Sequence, residues 1–139
     1  MLARRELSEA QVRQRLAKRG EIQASIDEAV ARLKAERSID DERVAGAIAR
    51  SQTSVRKRGR RRVQQQIEAA GIDRSIASRA VDQAFQDLDP DALLLASLEK
   101  RLRGRARIAD DREFQRLYRY LSAQGFDSDR ILAHLRRRQ

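Results

Sequence analysis

The apolar residues of this chain recur at helical spacing around three glycines, Gly20, Gly71 and Gly125. Two large aliphatic residues lie eight and four positions before each glycine, and another lies ten positions after it. An i, i+4 aliphatic pair is the buried stripe of a short helix, and a glycine suits the left-handed position that ends one. The glycines are 51 and 54 residues apart, so the pattern predicts a tandem helical repeat.

Capping signals divide the repeats into helices. Ser8 with Gln11 has the spacing of a capping box, Asp73 and Asp127 can cap the helix after their glycine, and Asp89-Pro90 combines a cap with proline at the first helical position. Together with the apolar spacing, these signals predict eight helices, at about 9–19, 23–36, 41–56, 60–70, 74–87, 90–102, 111–124 and 128–137.

These helices predict an all-α protein: an elongated, curved, solenoid-like array of three-helix repeats. The repeats comprise residues 1–38, 39–88 and 89–139, and the first has room for two helices only. The chain has a single proline and six glycines, which argues against a β-rich fold. Much of its apolar content is alanine, so we expect a thin core rather than a globule with a deep pocket.

Charge supplies the candidate chemistry. The 31 basic and 21 acidic residues give a net charge of +10, which favours polyanionic partners. Two dense cationic segments are candidate sites for phosphate or an acidic protein surface; the alternative is a solvated face of an arginine-rich chain. The candidate residues are Arg56, Lys57, Arg58, Arg60, Arg61, Arg62, Lys100, Arg101, Arg103, Arg105 and Arg107. Free amides at the start of the fourth helix could add to the first site.

Catalytic equipment is scarce in the sequence. There is no cysteine and one histidine, His134, and the acidic pairs Asp40-Asp41 and Asp110-Asp111 are explained by helix capping. We therefore expect no enzyme, no metal and no cofactor. No apolar stretch approaches 18 residues, and the first six residues lack the apolar region of a signal peptide, so we expect a cytoplasmic protein. One of Tyr118 and Tyr120 should be partly exposed and could stack on a base.

Four segments together resemble the RecX family. They are Leu-Ala-Arg-Arg-Glu-Leu-Ser-Glu at 2–9, Ile-Asp-Asp-Glu-Arg-Val-Ala at 39–45, Gly-Arg-Arg-Arg-Val at 59–63 and Leu-Ser-Ala-Gln-Gly-Phe-Asp at 121–127. The resemblance runs from about residue 2 to about residue 137, and it is carried by the order and spacing of these helix caps and ends. RecX proteins regulate the bacterial recombinase RecA.

The resemblance implies a monomeric, non-enzymatic regulator of RecA. Such a protein would bind the RecA–DNA filament, contact single- and double-stranded DNA, and restrain ATP turnover, strand exchange and filament extension in DNA repair and the SOS response. The alternative is a basic helical module that binds DNA or RNA independently of RecA. A third possibility is a protein-interaction scaffold whose charge serves solubility. The residues themselves do not decide between capping, coating or disassembly of the filament.

Overall fold

A computed structural model describes residues 6–139, and this part of the chain forms eight α-helices and no strand. The helices are α1 (Glu9–Lys18), α2 (Gln23–Ala35), α3 (Asp41–Ser54), α4 (Arg60–Ala69), α5 (Arg74–Phe85), α6 (Pro90–Leu102), α7 (Asp111–Ala123) and α8 (Ser128–Arg136). All eight predicted helices are present, with ends within two residues of those predicted. The all-α prediction is confirmed.

The predicted caps begin most of these helices. Ser8 accepts a hydrogen bond from the amide of Gln11 at 3.2 Å, and the Gln11 side chain accepts one from the amide of Ser8, which completes the capping box. Asp73 and Asp89 each accept an amide hydrogen bond at the start of α5 and α6. Asp127 is the N-cap of α8 by position, but its side chain makes no capping hydrogen bond. The glycines that end α1, α4 and α7 all have positive φ.

Three clusters of buried side chains form the core, one for each group of helices. The smallest contains Ile26, Val30 and Ile39, packed beneath α1 and α2. The second lies among α3, α4 and α5, and the third among α6, α7 and α8. Phe85 contacts both of the larger clusters and so links them. The repeat boundaries at 38/39 and 88/89 stay a prediction. Ile39 falls in the second predicted repeat, yet its side chain packs with the first cluster.

The arrangement of the three clusters is extended. The accessible surface is 9669 Å², whereas a compact protein of this mass would expose about 7400 Å². The excess follows from the repeat architecture, because each group of helices packs on its neighbour in sequence rather than around a common centre. We refer below to the three groups, α1–α2, α3–α5 and α6–α8, as the first, second and third unit.

The second and third units meet where the start of α4 lies on the turn after α7. The amide of Gly59 donates to the carbonyl of Gln124 at 2.8 Å, and the amide of Arg61 donates to the carbonyl of Gly125 at 3.3 Å. A Cβ on Gly59 would lie 2.6 Å from the carbonyl carbon of Gly125, so the backbones pass closer than side chains would permit. Contact between these units therefore depends on glycine.

The first and second units meet in the same way, one repeat earlier. Ser8, at the start of α1, donates its hydroxyl to the carbonyl of Ala70, and Ala10 packs against Gly71 at the turn after α4. Ser8 and Gly59 each lie twelve residues before their own glycine, so the two contacts occupy equivalent positions of the repeat. We call this arrangement, a helix start on the glycine turn of the next unit, the inter-unit joint. The turn at Gly20 has nothing within 4 Å of a Cβ placed there.

Two glycine substitutions separate the joint contact from backbone strain. Gly59 has φ −80°, which any residue adopts, so Gly59→Ala perturbs only the contact with Gly125. We expect it to lower the free energy of unfolding by about 2–3 kcal/mol, a typical cost of overpacking. Gly20→Ala places a Cβ in open space at φ +88°, and we expect it to lose only about 1 kcal/mol from the left-handed conformation.

Urea titration followed by circular dichroism measures both losses. Equal losses for the two variants would contradict a joint that depends on close backbone approach.

Candidate nucleic-acid interface

The first cationic segment forms the loop between α3 and α4 and the first turn of α4. Arg58 donates to the side chain of Gln52 at 2.7 Å, which keeps it close to the end of α3. Arg61 donates to the carbonyl of Ser122 at 3.0 Å. Arg60 points the other way, pairs with Asp82 on α5 and lies over the ring of Phe85. The structure thus separates Arg60 from the rest of its segment.

The second segment covers the end of α6 and the loop that follows. Arg105 forms two hydrogen bonds with the carboxylate of Glu113, at 2.9 and 2.5 Å, and Arg107 donates to the carbonyl of Gln139 at 2.7 Å. These two arginines fasten the loop to α7 and to the end of the chain. Lys100, Arg101 and Arg103 remain exposed and form no ion pair with a carboxylate of the described residues.

The two segments meet at Tyr120 on α7. Ser97, on α6, donates its hydroxyl to the carbonyl of Lys57 at 3.1 Å and so holds the first segment against α6. Arg101 follows Ser97 by one helical turn on the same face. Its guanidinium carbon lies 3.8 Å from the centre of the Tyr120 ring, a stacked cation–π contact. The fold therefore joins residues that are forty positions apart in the sequence.

We define the Tyr120 patch as the Arg101–Tyr120 pair together with the neighbouring cations of the first segment. Its members are Arg56, Lys57, Arg58, Arg62, Arg101 and Tyr120. In the described part of the chain, none of these cations lies within 4.0 Å of a carboxylate oxygen. The patch is therefore an uncompensated concentration of positive charge between the second and third units.

Burial and neighbouring positive charge both act on Arg58. Partial burial lowers the pKa of its guanidinium, and the neighbouring Arg62 and Arg56 lower the pKa further, while Tyr120 opposes them. Within residues 6–139, the Arg62 Nε is also a buried nitrogen without a hydrogen-bond partner. An anion at the patch would relieve both the repulsion and the loss of hydration.

One cation of the patch and one beside it also have strained backbone. Lys57 and Arg103 have φ of 53° and 52°, the left-handed region that long side chains rarely adopt. Such residues persist where the surrounding structure holds them, and they are frequent at functional sites. Lys57 is held by the Ser97 hydrogen bond to its carbonyl.

The amides at the start of α4 are less available than the sequence analysis expected. The amides of Gly59 and Arg61 are used in the inter-unit joint, where they donate to carbonyls of the third unit. Anion binding at this end of α4 would thus depend on side chains. Sequence reasoning also missed Tyr120 as the meeting point, because its link to Arg58 and Arg101 arises only from packing of α6 and α7 on the first segment.

In the described residues, the other features relevant to function would be a metal-ligand cluster, the single histidine and a membrane-spanning helix. Residues 6–139 contain no group of three or more histidine, aspartate or glutamate side chains placed to hold a metal ion. His134 lies 3.4 Å from Asp91, which also pairs with Arg130 across α6 and α8. No helix in this part of the chain has both the length and the apolar character needed to span a membrane.

Family models match two parts of the chain. The model for the first three-helix domain of RecX matches residues 1–33, and the model for the second matches residues 40–81. A regulatory protein RecX from Halorhodospira halophila is 30% identical over 134 residues, which cover 96% of this chain and 80% of that protein. A regulatory protein RecX from Geobacillus thermodenitrificans is 30% identical over 132 residues, and the chain spans about half of its length (48%).

Solved structures support the fold. The crystal structure of RecX from Lactobacillus salivarius superposes with a TM-score of 0.78 at 18% identity, covering 95% of this chain and 87% of that one. A second crystal structure of regulatory protein RecX gives a TM-score of 0.72 at 19% identity, covering 95% and 64%. The fold and the patch define an all-helical repeat protein with a cationic face. By its family models and relatives, the chain belongs to the RecX family of regulatory proteins.

Two substitutions of Lys57 separate the effect of its backbone strain on stability from the effect of its charge. Lys57→Gly removes the side chain from a left-handed position, and we expect it to raise the free energy of unfolding by about 1 kcal/mol. Lys57→Ala removes the same charge and keeps the strain, so we expect no such gain. Both variants should bind polyanions more weakly than the wild type. If both variants were more stable than wild type in urea titration, the gain would come from removal of the charge and not from relief of backbone strain at position 57.

Acid weakens the ion pair between Arg105 in the loop after α6 and Glu113 on α7. Arg105 and the amide of Ala109 lower the pKa of Glu113 from its ordinary 4.5 to about 2. The folded state therefore gains stability from this carboxylate above pH 4.5 and loses it as the pH falls towards 2. We expect Glu113→Gln to be less stable than wild type at pH 7 and to approach it near pH 2. A difference in urea midpoint that is constant over this pH range would contradict the role of the ionised carboxylate.

Proposed function

We propose that this protein regulates RecA by binding the RecA–DNA filament and restraining its activity. ATP turnover, strand exchange and filament extension would fall, and the setting would be DNA repair and the SOS response. The observation that carries the proposal is the convergence of two cationic segments on one face, around Tyr120, in a chain of the RecX family. The chain would act as a monomer in the cytoplasm and without catalytic chemistry of its own.

Geometry supports an extended contact rather than a pocket. Because the three units form an elongated array, the protein can lie along a filament and contact several of its subunits. The Tyr120 patch lies between the second and third units, where phosphate groups or acidic recombinase residues would meet uncompensated arginines. Arginine suits this role because its planar guanidinium donates two hydrogen bonds to a phosphate at once.

The eleven candidate cations do not contribute equally to the proposed interface. We place Arg56, Lys57, Arg58, Arg62 and Arg101 at its centre, with Lys100 and Arg103 beside Arg101. Arg61 contributes from the first turn of α4. Arg60 and Arg105 serve mainly the fold, since each pairs with a carboxylate of the chain. Arg107, like Arg61, donates to a backbone carbonyl and contributes from the edge.

The alternative is direct nucleic-acid binding that is independent of RecA. The Tyr120 patch supports direct nucleic-acid binding as well as it supports RecA regulation, because arginines without carboxylate partners beside an aromatic ring suit nucleic acid generally. Salt distinguishes the two: affinity for naked duplex falls with a log–log slope of about −0.9 for each phosphate contacted. A filament regulator retains binding to RecA at salt concentrations that abolish binding to DNA alone.

The test is RecA's ATPase in the presence of single-stranded DNA, titrated with the protein below and above one molecule per recombinase monomer. We expect inhibition well below equal stoichiometry. The charge reversals Arg56→Glu, Lys57→Glu and Arg101→Glu together should raise the inhibitory concentration by about tenfold or more, since each converts an attraction to a polyanion into a repulsion.

A matched control carries the same charge change in the first unit. Arg15→Glu, Arg19→Glu and Arg32→Glu alter three exposed arginines of the first unit, in α1, just after α1 and in α2, and leave the patch intact. We expect this control to inhibit nearly as well as the wild type. Equal loss in both triple variants would show that net charge matters and the patch does not. If wild-type protein binds DNA but leaves the ATPase of RecA unchanged, the alternative function, direct nucleic-acid binding independent of RecA, would stand.

A further inference from the structure

The contact between Arg101 and Tyr120 has a geometry that charge alone does not require. A cation attracted to a ring can approach within about 6 Å of its centre from many directions. Here the guanidinium carbon lies over the ring, 3.8 Å from its centre, which is van der Waals contact. Arg101 has no carboxylate partner within 4.0 Å among the described residues, and its side chain is exposed. Its outer face is therefore a flat, charged surface open to solvent.

Tyr120 holds this surface in place. The ring is half-buried, at the end of α7, next to the turn that carries the inter-unit joint. Arg58 lies close enough to Tyr120 and to Arg62 for their charges to interact, so phosphate-binding groups adjoin the stacked pair. The arrangement combines a planar surface with adjacent unpaired cations, which is what a nucleotide with its flanking phosphates requires.

We propose that Arg101, stacked on Tyr120, is a base-stacking site for single-stranded nucleic acid. An unpaired base lies on the outer face of the guanidinium, and the flanking phosphates contact Arg58 and Lys57. Tyr120 is a positioning residue, because it keeps the guanidinium flat rather than contacting the base. Duplex DNA does not present an unpaired base, so the site favours single strands. This inference rests on the proposed function, since it names the part of the filament's DNA that the patch contacts.

Arginine at position 101 is essential to this site for its shape as well as its charge. Lysine carries the same charge on a tetrahedral ammonium that offers no plane to a base. Arg101→Lys therefore separates stacking from electrostatics. Arg112→Lys makes the same replacement at an exposed arginine in the first turn of α7, outside the patch, and serves as the matched control.

The experiment measures binding to two fluorescein-labelled oligonucleotides of equal length by anisotropy. One is a fifteen-nucleotide oligothymidine; the other consists entirely of tetrahydrofuran abasic residues, so the bases are removed and the number of phosphates is unchanged. Loss of one stacked base typically weakens binding by about tenfold or more. We expect wild-type protein and Arg112→Lys to bind the base-containing strand about tenfold more tightly. Arg101→Lys and Tyr120→Leu should lose this preference and keep the salt dependence of binding.

Intrinsic fluorescence gives a second reading. The chain has no tryptophan and two tyrosines, and Tyr118 is engaged with Ser128 at 3.1 Å. Oligothymidine should change the tyrosine emission of Tyr118→Phe, which retains Tyr120, and not that of Tyr120→Leu. Circular dichroism confirms that each variant is folded.

Several results would overturn the inference. Equal affinity of wild-type protein for the two oligonucleotides, or a preference that survives in Arg101→Lys, would exclude stacking on Arg101. Binding to RecA filaments without binding to either oligonucleotide would assign the patch to an acidic protein surface instead. Inhibition of the ATPase without discrimination between the strands rejects the stacking site alone. Discrimination without inhibition rejects RecA regulation and keeps the stacking site.

Discussion

Close backbone approach at the glycine turns is the constraint on which the rest of this structure depends. At both joints a helix start lies on the turn of the next unit, and at the second joint amides of Gly59 and Arg61 donate to carbonyls of Gln124 and Gly125. These contacts orient the third unit relative to the second. Because the Tyr120 patch contains residues of both units, its assembly follows from the joint, and a shift of one helix start would separate Arg101 from Arg58.

The cationic site illustrates a conflict between stability and function. Arginines without carboxylate partners repel one another, and at Arg58 partial burial together with the neighbouring Arg62 and Arg56 lowers the pKa of the guanidinium. Lys57 and Arg103 add backbone strain at the same place. A chain selected for stability alone would place glycine or an acidic residue at such positions. Retention of these features is typical of a surface whose partner supplies the missing negative charge.

Sequence periodicity was sufficient for the helices but not for the site. The i, i+4 stripes, the capping box at Ser8 and the Asp89-Pro90 start are local signals, so helix ends could be predicted to within two residues. The partners of individual arginines depend on tertiary packing. Arg60 and Arg61 are adjacent in the sequence, yet one turns to Asp82 on α5 and the other to Ser122 on α7. Composition identifies a cationic segment, whereas only the fold decides which of its charges are free.

The joints have a further consequence for how such chains change over evolutionary time. At the second joint the amide hydrogen bonds run between backbone atoms, and at both joints the steric demand is for the absence of a side chain. Few residue types are therefore specified where the units meet. The unit arrangement can persist while most of the surface is replaced, in keeping with a TM-score of 0.78 to a RecX structure at 18% identity. The loops beside the joints are then free to acquire different charges, and relatives that share this scaffold can differ in what they bind.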